Sequence, residues 1–269
     1  MKNKKIIFVI PDGTGIKNYL FSQIIPSLSK QNADILVYHA LSEDAINEVE
    51  SLHGIRLNKK PIFPYKETPY QKFLRESICY ARLIHNARLE NNTTVLTNWR
   101  TSHFTGLKKL FYKLVEARGK RMSNDYQKIL KYEAKYQNTL KESVTNEIEF
   151  LKEFKPDVIF CTHQRAINAI PIFKAAELLN IKTIGAIYSW DNLVKARLAV
   201  KTDKYVVWSD YMKNELLRYY SEIPEVSIQI TGTPQFQLYD KAHLLSKSEF
   251  FAKHKLDENK FTVCFSGDD

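Results

Sequence analysis

The chain has 269 residues, 44% hydrophobic and 26% charged, with 40 Lys+Arg against 30 Asp+Glu for a formal charge of +10. That apolar share suffices for a core and excludes a disordered chain. Three cysteines without a CxxC pair exclude a disulfide scaffold and a cysteine zinc site, and they fit a reducing compartment. The opening MKNKKIIFVIPDGTG is too poor in apolar residues for a signal peptide, and no run approaches the ~18 residues of a membrane span. The expectation is a soluble cytoplasmic protein.

In chain order, residues 5–10, 33–39, 157–162, 182–188, 204–208 and 227–231 read as strands, with 92–96 a weaker candidate. Most are continuously apolar rather than alternating, which marks strands buried on both faces of a parallel sheet. Helical patterns at 16–29, 166–180 and 210–220 alternate with them, so the predicted fold is α/β with a doubly wound parallel sheet. Residues 64–154 break the rhythm and read as a long helical insertion. There Tyr70, Phe73, Leu74, Ile78, Ala81 and Ile84 step by three and four along one buried stripe, and 125–154 reads as a second long helix. After Gly232, Thr233 and Pro234 come a short helix at 246–254 and a fresh strand at 260–266. The predicted organisation is one domain over 1–240, with 241–269 a linker and the first strand of a truncated second domain.

Three polar loops each follow a predicted strand. Asp12, Gly13, Thr14 and Gly15 come first; two glycines there permit a tight turn and leave helix N-terminal N–H groups open to an anion or a sugar. The GxG lacks the third glycine of the dinucleotide fingerprint. A plain strand–helix turn and a substrate-facing loop both fit. His163, Gln164 and Arg165 form the second loop, with the chemistry of a base, a hydrogen-bond donor and an anion clamp; a solvated helix-capping loop is the competing reading. Trp190, Asp191, Asn192 and Lys195 form the third, combining a stacking face, an acceptor, a donor and a cation, against a reading of interdomain packing and a helix cap. Cys161, Met212 and Leu216 are expected in the core. No metal-ligand spacing, P-loop or nucleophile elbow occurs. Residues 100–121 carry Phe104, Leu107, Leu110, Phe111 and Leu114 among lysines and arginines. That pattern fits a helix on an anionic membrane surface or an ordinary amphipathic helix, and no nucleic-acid module accompanies it.

The stretch SWDNL at 189–193 with Lys195, YVVWS at 205–209 with Met212 and Glu215, and ITGTPQF at 230–236 with Tyr239 resembles bacterial surface-carbohydrate glycosyltransferases of the GT-B fold. These are relatives of the UDP-N-acetylglucosamine 2-epimerase and glycerophosphotransferase-like superfamily. The opening turn through Asn18 is consistent with the same group, and the chain departs from its pattern at Ala196 and Gln237. The resemblance implies the N-terminal, acceptor-side half of a Rossmann-like GT-B transferase. Such an enzyme takes a nucleotide sugar, UDP-linked, as substrate rather than cofactor, with a carbohydrate or lipid-linked acceptor. The other domain, or a separate subunit, would supply most donor contacts, so this chain alone would not catalyse transfer. On this reading His163 and Asp191 are the base candidates. Asp12, Gly13, Gly15, Asn18, Gln164, Arg165, Trp190, Asn192 and Lys195 are the binding candidates. A sugar-nucleotide 2-epimerase, a glycerophosphotransferase-like enzyme and a non-catalytic half of a two-subunit transferase are the alternatives. The expected location is cytoplasmic, peripheral on the inner face of the plasma membrane.

Overall fold

A computed structural model describes residues 3–196, 198–239 and 244–265. Seven strands form one all-parallel sheet: β1 (Lys5–Ile10), β2 (Asp34–His39), β3 (Asn58–Pro61), β4 (Val158–Cys161), β5 (Lys182–Ala186), β6 (Lys204–Val207) and β7 (Ile228–Ile230). Their spatial order is 3-2-1-4-5-6-7. The alternation along β1 shows why continuous apolar strands form here. Ile7 and Val9 enter a core shared with α3 (Pro69–Leu89), α5 (Tyr126–Thr139), α6 (Thr145–Phe154) and α7 (Ile170–Leu178). Phe8 and Ile10 enter a core on the other face with α1 (Ile24–Lys30) and α2 (Glu43–His53). Cys161, expected in the interior, is fully buried, and burial pushes its thiol up to about 12. Met212 and Leu216 of α8 (Asp210–Tyr219) pack with Tyr205 and Val207 of β6, also as expected.

Six strands match the apolar runs. β3 is the one without an apolar run, because an edge strand of sequence NKKP is held by backbone pairing to β2, while Lys59 reaches Glu50 and Lys60 lies over the Phe63 and Phe150 rings. Residues 92–96 are not a strand but part of a 3₁₀ turn, Thr93–Asn98. Asn92 Oδ1 accepts hydrogen bonds from the Thr94 N–H (2.9 Å) and hydroxyl (2.7 Å), which curls the chain locally. The helix expected at 16–29 divides into a π-helical turn, Ile16–Leu20, and α1. Ser22 explains the division: its hydroxyl donates to Tyr19 O and accepts from Ile24 N, competing with the helical ladder. The helix expected at 125–154 likewise breaks into α5 and α6, where fully buried Leu140 and Val144 turn the chain into the core. The strand expected at 260–266 is absent over 261–265, where Phe261, Val263 and Phe265 are 95%, 76% and 90% exposed and no strand among the described residues pairs with them. Ser266 and the residues after it lie outside the described set.

Between β3 and β4, α3 carries the expected stripe through Leu74, Ile78 and Ala81, while Tyr70 is exposed. Leu83 is buried as well, near Asn98 and Trp99, and α4 (Gly106–Met122) packs along another side of α3. Gly119 permits that approach. A Cβ on it would lie 2.8 Å from Tyr80 Cδ1 and 3.0 Å from Ser77 O, which is backbone. Gly119→Val is therefore expected to cost about 1–3 kcal/mol through overpacking, read as a lower urea midpoint at unchanged slope.

Candidate active site

The sheet's chain order reverses between β1 and β4, the place in an open α/β sheet where adjacent edge loops diverge and leave a crevice. The loops after these strands are joined by side chains. Asp12 accepts from Thr14 N at 3.0 Å through Oδ1, and its Oδ2 lies 2.5 Å from His163 Nδ1. Burial works against the Asp12 charge, yet the hydrogen bond and charge of His163, with the Thr14 N–H, hold its carboxyl below the usual range. An ionised carboxylate only accepts, so Nδ1 carries the proton and donates, and the basic nitrogen of the neutral ring is Nε2. Nε2 is buried and has no hydrogen-bond partner, and the Tyr188 ring stands edge-on to the imidazole at 4.3 Å. Gly15 closes the turn against the second loop: a Cβ there would meet Thr162 Oγ1 at 2.4 Å. Gly13 has open space around it, leaving the turn approachable from solvent.

The second loop also joins the third. Arg165 Nη1 donates to Asn192 Oδ1 at 2.6 Å, and Asn192 Nδ2 donates back to Ser189 O at 3.1 Å. Asp191 accepts from the Ser189 hydroxyl at 2.7 Å and forms an ion pair with Lys195. Burial opposes its charge, but the Lys195 and Ser189 hydrogen bonds and the Lys195 and Arg165 charges lower its pKa. Asp191 is thus a neutralised carboxylate and the weaker base of the two candidates. Trp190 is 69% exposed beside it. Gln164 is buried with Oε1 unpartnered, and its carbonyl accepts from Val200 N at 2.9 Å. Asn18 is buried within the π-helical turn and takes no part in the bonds that join the loops. Arg197 lies outside the described residues.

Three consecutive residues, His163, Gln164 and Arg165, each hold a buried polar atom without a partner. Buried polar groups are almost always satisfied, so such a cluster marks a place where something else supplies the bonds. Two contributors were not apparent in the sequence. Asn168 Nδ2 donates to Pro11 O at 2.8 Å and pins the first loop to the second; nothing in its spacing signals that role. Tyr188 ends an apolar run and reads as core, although it frames the imidazole. The segment after β7 lies instead against the α1 side of the sheet, where Gln237, one residue beyond ITGTPQF, accepts through Oε1 from Gln23 N at 3.2 Å.

This sheet order, with a polar site across the β1–β4 crevice, is that of a doubly wound, Rossmann-like α/β domain, and the family match over residues 71–234 makes it the N-terminal domain of a GT-B superfamily protein. The profile of the monogalactosyldiacylglycerol (MGDG) synthase family matches residues 71–234, more than half of the chain, and the chain belongs to that family. The matched span contains the second and third loops; Asp12 lies ahead of it. No curated protein matches the chain in sequence. Among solved structures it is similar to the UDP-GlcNAc 2-epimerase of Neisseria meningitidis bound to UDP-GlcNAc, at 14% identity and a TM-score of 0.48, covering 95% of this chain and 54% of that one. The UDP-GlcNAc 2-epimerase of Methanocaldococcus jannaschii follows at 13% identity and a TM-score of 0.45, covering 88% and 50%. A UDP co-structure of MnaA from S. aureus gives 12% identity and a TM-score of 0.46, covering 94% and 50%. The chain spans about half the length of the solved structures it matches.

Proposed function

We propose that this chain is the acceptor-side half of a glycosyltransferase that uses a UDP-linked sugar donor in surface polysaccharide or glycoconjugate biosynthesis. The observation that carries the reading is the Asp12–His163 pair with Nε2 left unpartnered. An acceptor hydroxyl hydrogen-bonded to Nε2 gives up its proton to the imidazole as the oxygen attacks the anomeric carbon of the donor, the bond from that carbon to the UDP oxygen breaks and UDP departs with the electron pair, and the Asp12 carboxylate stabilises the imidazolium that forms. Arg165 and Lys195 place positive charge beside the same loops, and Trp190 offers a stacking face. The remaining donor contacts come from a second domain, on a longer chain or on a separate subunit. Family membership and the SWDNL and GTPQF motifs support transfer over other sugar-nucleotide chemistry. The test uses a protein spanning both halves of the fold, supplied with UDP-sugars with and without acceptor. Donor consumption is expected only with acceptor present; an isomerised nucleotide sugar formed without acceptor overturns transfer in favour of epimerisation.

The partner surface in this proposal is an anionic bilayer at the inner face of the plasma membrane. No helix among the described residues is long and apolar enough to cross a membrane. On α4, Leu107, Leu110 and Leu114 are 86%, 54% and 56% exposed on one face, bordered by exposed Lys109, Lys113 and Arg121. Tyr112, Val115 and Met122 on the opposite face are buried, and Phe104 and Phe111 are half-buried rather than free to insert. Each cation near an anionic leaflet contributes about 1 kcal/mol. Vesicle co-sedimentation is expected to be strong with anionic lipid at low salt, weak with neutral lipid, and reduced by Leu107→Asp with Leu110→Asp. Equal binding to both lipids removes the bilayer from the proposal.

A further inference from the structure

Beyond the last bridged pair of β1 and β4, Val9 with Cys161, the two loops run on without strand pairing. Thr162 still reaches back, donating from its N–H and its hydroxyl to Val9 O, both at 3.2 Å. Among the described residues, two hydrogen bonds then tie residues 11–15 to the second loop: Asn168 Nδ2 to Pro11 O at 2.8 Å, and the Asp12–His163 contact itself. The other bonds of the first turn, Thr14 N to Asp12 Oδ1, Gly15 N to Asp12 O and Ile16 N to Gly13 O, stay inside it. Its far end rests on Thr162 through Gly15, so the end that carries Asp12 is fixed by the Pro11 carbonyl. Neither neighbour of His163 holds that end. Gln164 leaves Oε1 unpartnered, while Arg165 bonds Asn192 and lines a cavity of about 440 Å³ between α3, α5 and α7.

Asn168 is well placed to hold it. It sits in the 3₁₀ turn Ile167–Ala169 that leads into α7, where Ala169 and Ile170 are buried and Ala166 N donates to His163 O at 3.1 Å. The backbone under Asn168 is thus fixed both to the core and to the loop of His163. A carbonyl oxygen only accepts, so the amide nitrogen is the atom that faces Pro11, and the bond has one direction. One residue further on, the Asp12 carboxylate accepts from His163 Nδ1. Which imidazole nitrogen carries the proton depends on whether that acceptor is in place.

We propose that Asn168 is a positioning residue for His163: by holding the Pro11 carbonyl it keeps the Asp12 carboxylate on Nδ1, which confines the ring proton there and leaves Nε2 as the basic nitrogen. The proposal rests on the reading of His163 as the base and adds the residue that fixes its tautomer. Without the amide, Asp12, whose side chain is 39% exposed, exchanges the imidazole for water, and the ring divides its proton between the two nitrogens. A neutral ring protonated on Nε2 cannot take a proton there. Loss of Asn168 therefore lowers the fraction of protein able to act, without removing a group that touches donor or acceptor.

Nitrogen-15 spectra of the histidines in the 269-residue chain read the tautomer with neither donor nor turnover. The chain has seven histidines, and the His163 signals are those lost in His163→Gln. In the parent, neutral His163 is expected to carry its proton on Nδ1. Asn168→Ala is expected to shift the averaged signals toward the Nε2-protonated form with the fold retained. Asn168→Asp, of the same size but with no N–H to offer, is expected to do the same, and it decides the matter if the alanine variant fails to fold. In a protein spanning both halves of the fold, Asn168→Ala is expected to lower kcat by about 10- to 10²-fold at unchanged acceptor KM, up to the loss that a misplacement of about 1 Å brings. A His163 proton that stays on Nδ1 in the folded variants overturns the proposal. So does a raised KM at unchanged kcat, which makes Asn168 a contact for the acceptor rather than a support for the base. Failure of the base reading shows separately, as an unchanged rate in His163→Gln, and the spectra still report whether Asn168 sets the tautomer.

Discussion

Replacing Arg82 by alanine is expected to lower the stability of this domain by about 3–5 kcal/mol, the range for breaking a buried ion pair from one side. The Arg82 side chain is 3% exposed. Its Nε pairs with Glu133 of α5, Nη2 donates to Glu222 at 2.9 Å, and Nη1 donates to Tyr126 Oη at 3.0 Å and to Tyr219 O at 3.2 Å. The guanidinium also lies 4.3 Å from the centre of the Tyr220 ring. One side chain of α3 thus ties α5 to the chain leaving α8. Truncation strands two carboxylates that Lys201 alone must neutralise, and Lys201 is partly exposed. Arg82→Lys is expected to recover only part of the loss, since an ammonium cannot reproduce the planar fork. Urea denaturation followed by circular dichroism measures both. Acid adds a second readout. Burial opposes the Glu222 charge, but Arg82 and Lys201 bring its pKa from 4.5 to about 2. Because the folded value is depressed, the stabilisation is complete above 4.5 and is lost as pH falls through about 2. The alanine variant is therefore expected to unfold at a higher pH than the parent. A change below about 1 kcal/mol, with the same acid midpoint, would show the network to be dispensable.

The second large effect concerns turnover. In a protein spanning both halves of the fold, His163→Gln is expected to reduce transfer by about 10²–10⁴-fold, the usual worth of a positioned general base. Asp12→Asn is expected to lower kcat with little change in acceptor KM, because the amide keeps contact with the imidazole but withdraws the negative charge that stabilises its protonated form. Asp191→Asn is expected to have the smallest effect, since Lys195 and Ser189 already occupy that carboxylate. Initial rates at saturating donor, compared with thermal midpoints, separate chemistry from folding. If Asp191→Asn loses as much as His163→Gln was expected to lose, while His163→Gln stays near the parent rate, the base is Asp191.

The sheet was legible in the sequence because its strands are buried on both faces. A run such as KIIFVI has no other economical place in a folded chain, and the loops after β1, β4 and β5 could be placed at one edge for the same reason. β3 was not legible, because NKKP is held by backbone pairing to β2 and carries no apolar signature. The breaks at Ser22 and at Leu140–Val144 were missed on opposite grounds. In the first a local side-chain hydrogen bond competes with the helix, and in the second tertiary burial turns a segment whose propensity favours continuing. Within the site, His163, Arg165 and Asp191 were visible as residue types at strand ends. Their division of labour was not, because it depends on contacts across large sequence separations: Asp12 with His163, Arg165 with Asn192, and Asn168 with the Pro11 carbonyl.

β1 and β4 lie side by side with Ile6 opposite Val158, although two strands and most of the helices of the fold intervene along the chain. The entropy of closing a flexible loop grows only with the logarithm of its length, about 0.6 kcal/mol for each doubling. Lengthening or shortening the connections among α3, α4 and α5 therefore taxes the β1–β4 junction very little, provided the helices still cover the sheet. Asp12 and His163 are positioned by strand register rather than by that connection. This architecture lets the helical segment change in length and composition among relatives, and with it the chemistry of the cavity it encloses, while the carboxylate and the imidazole stay in register.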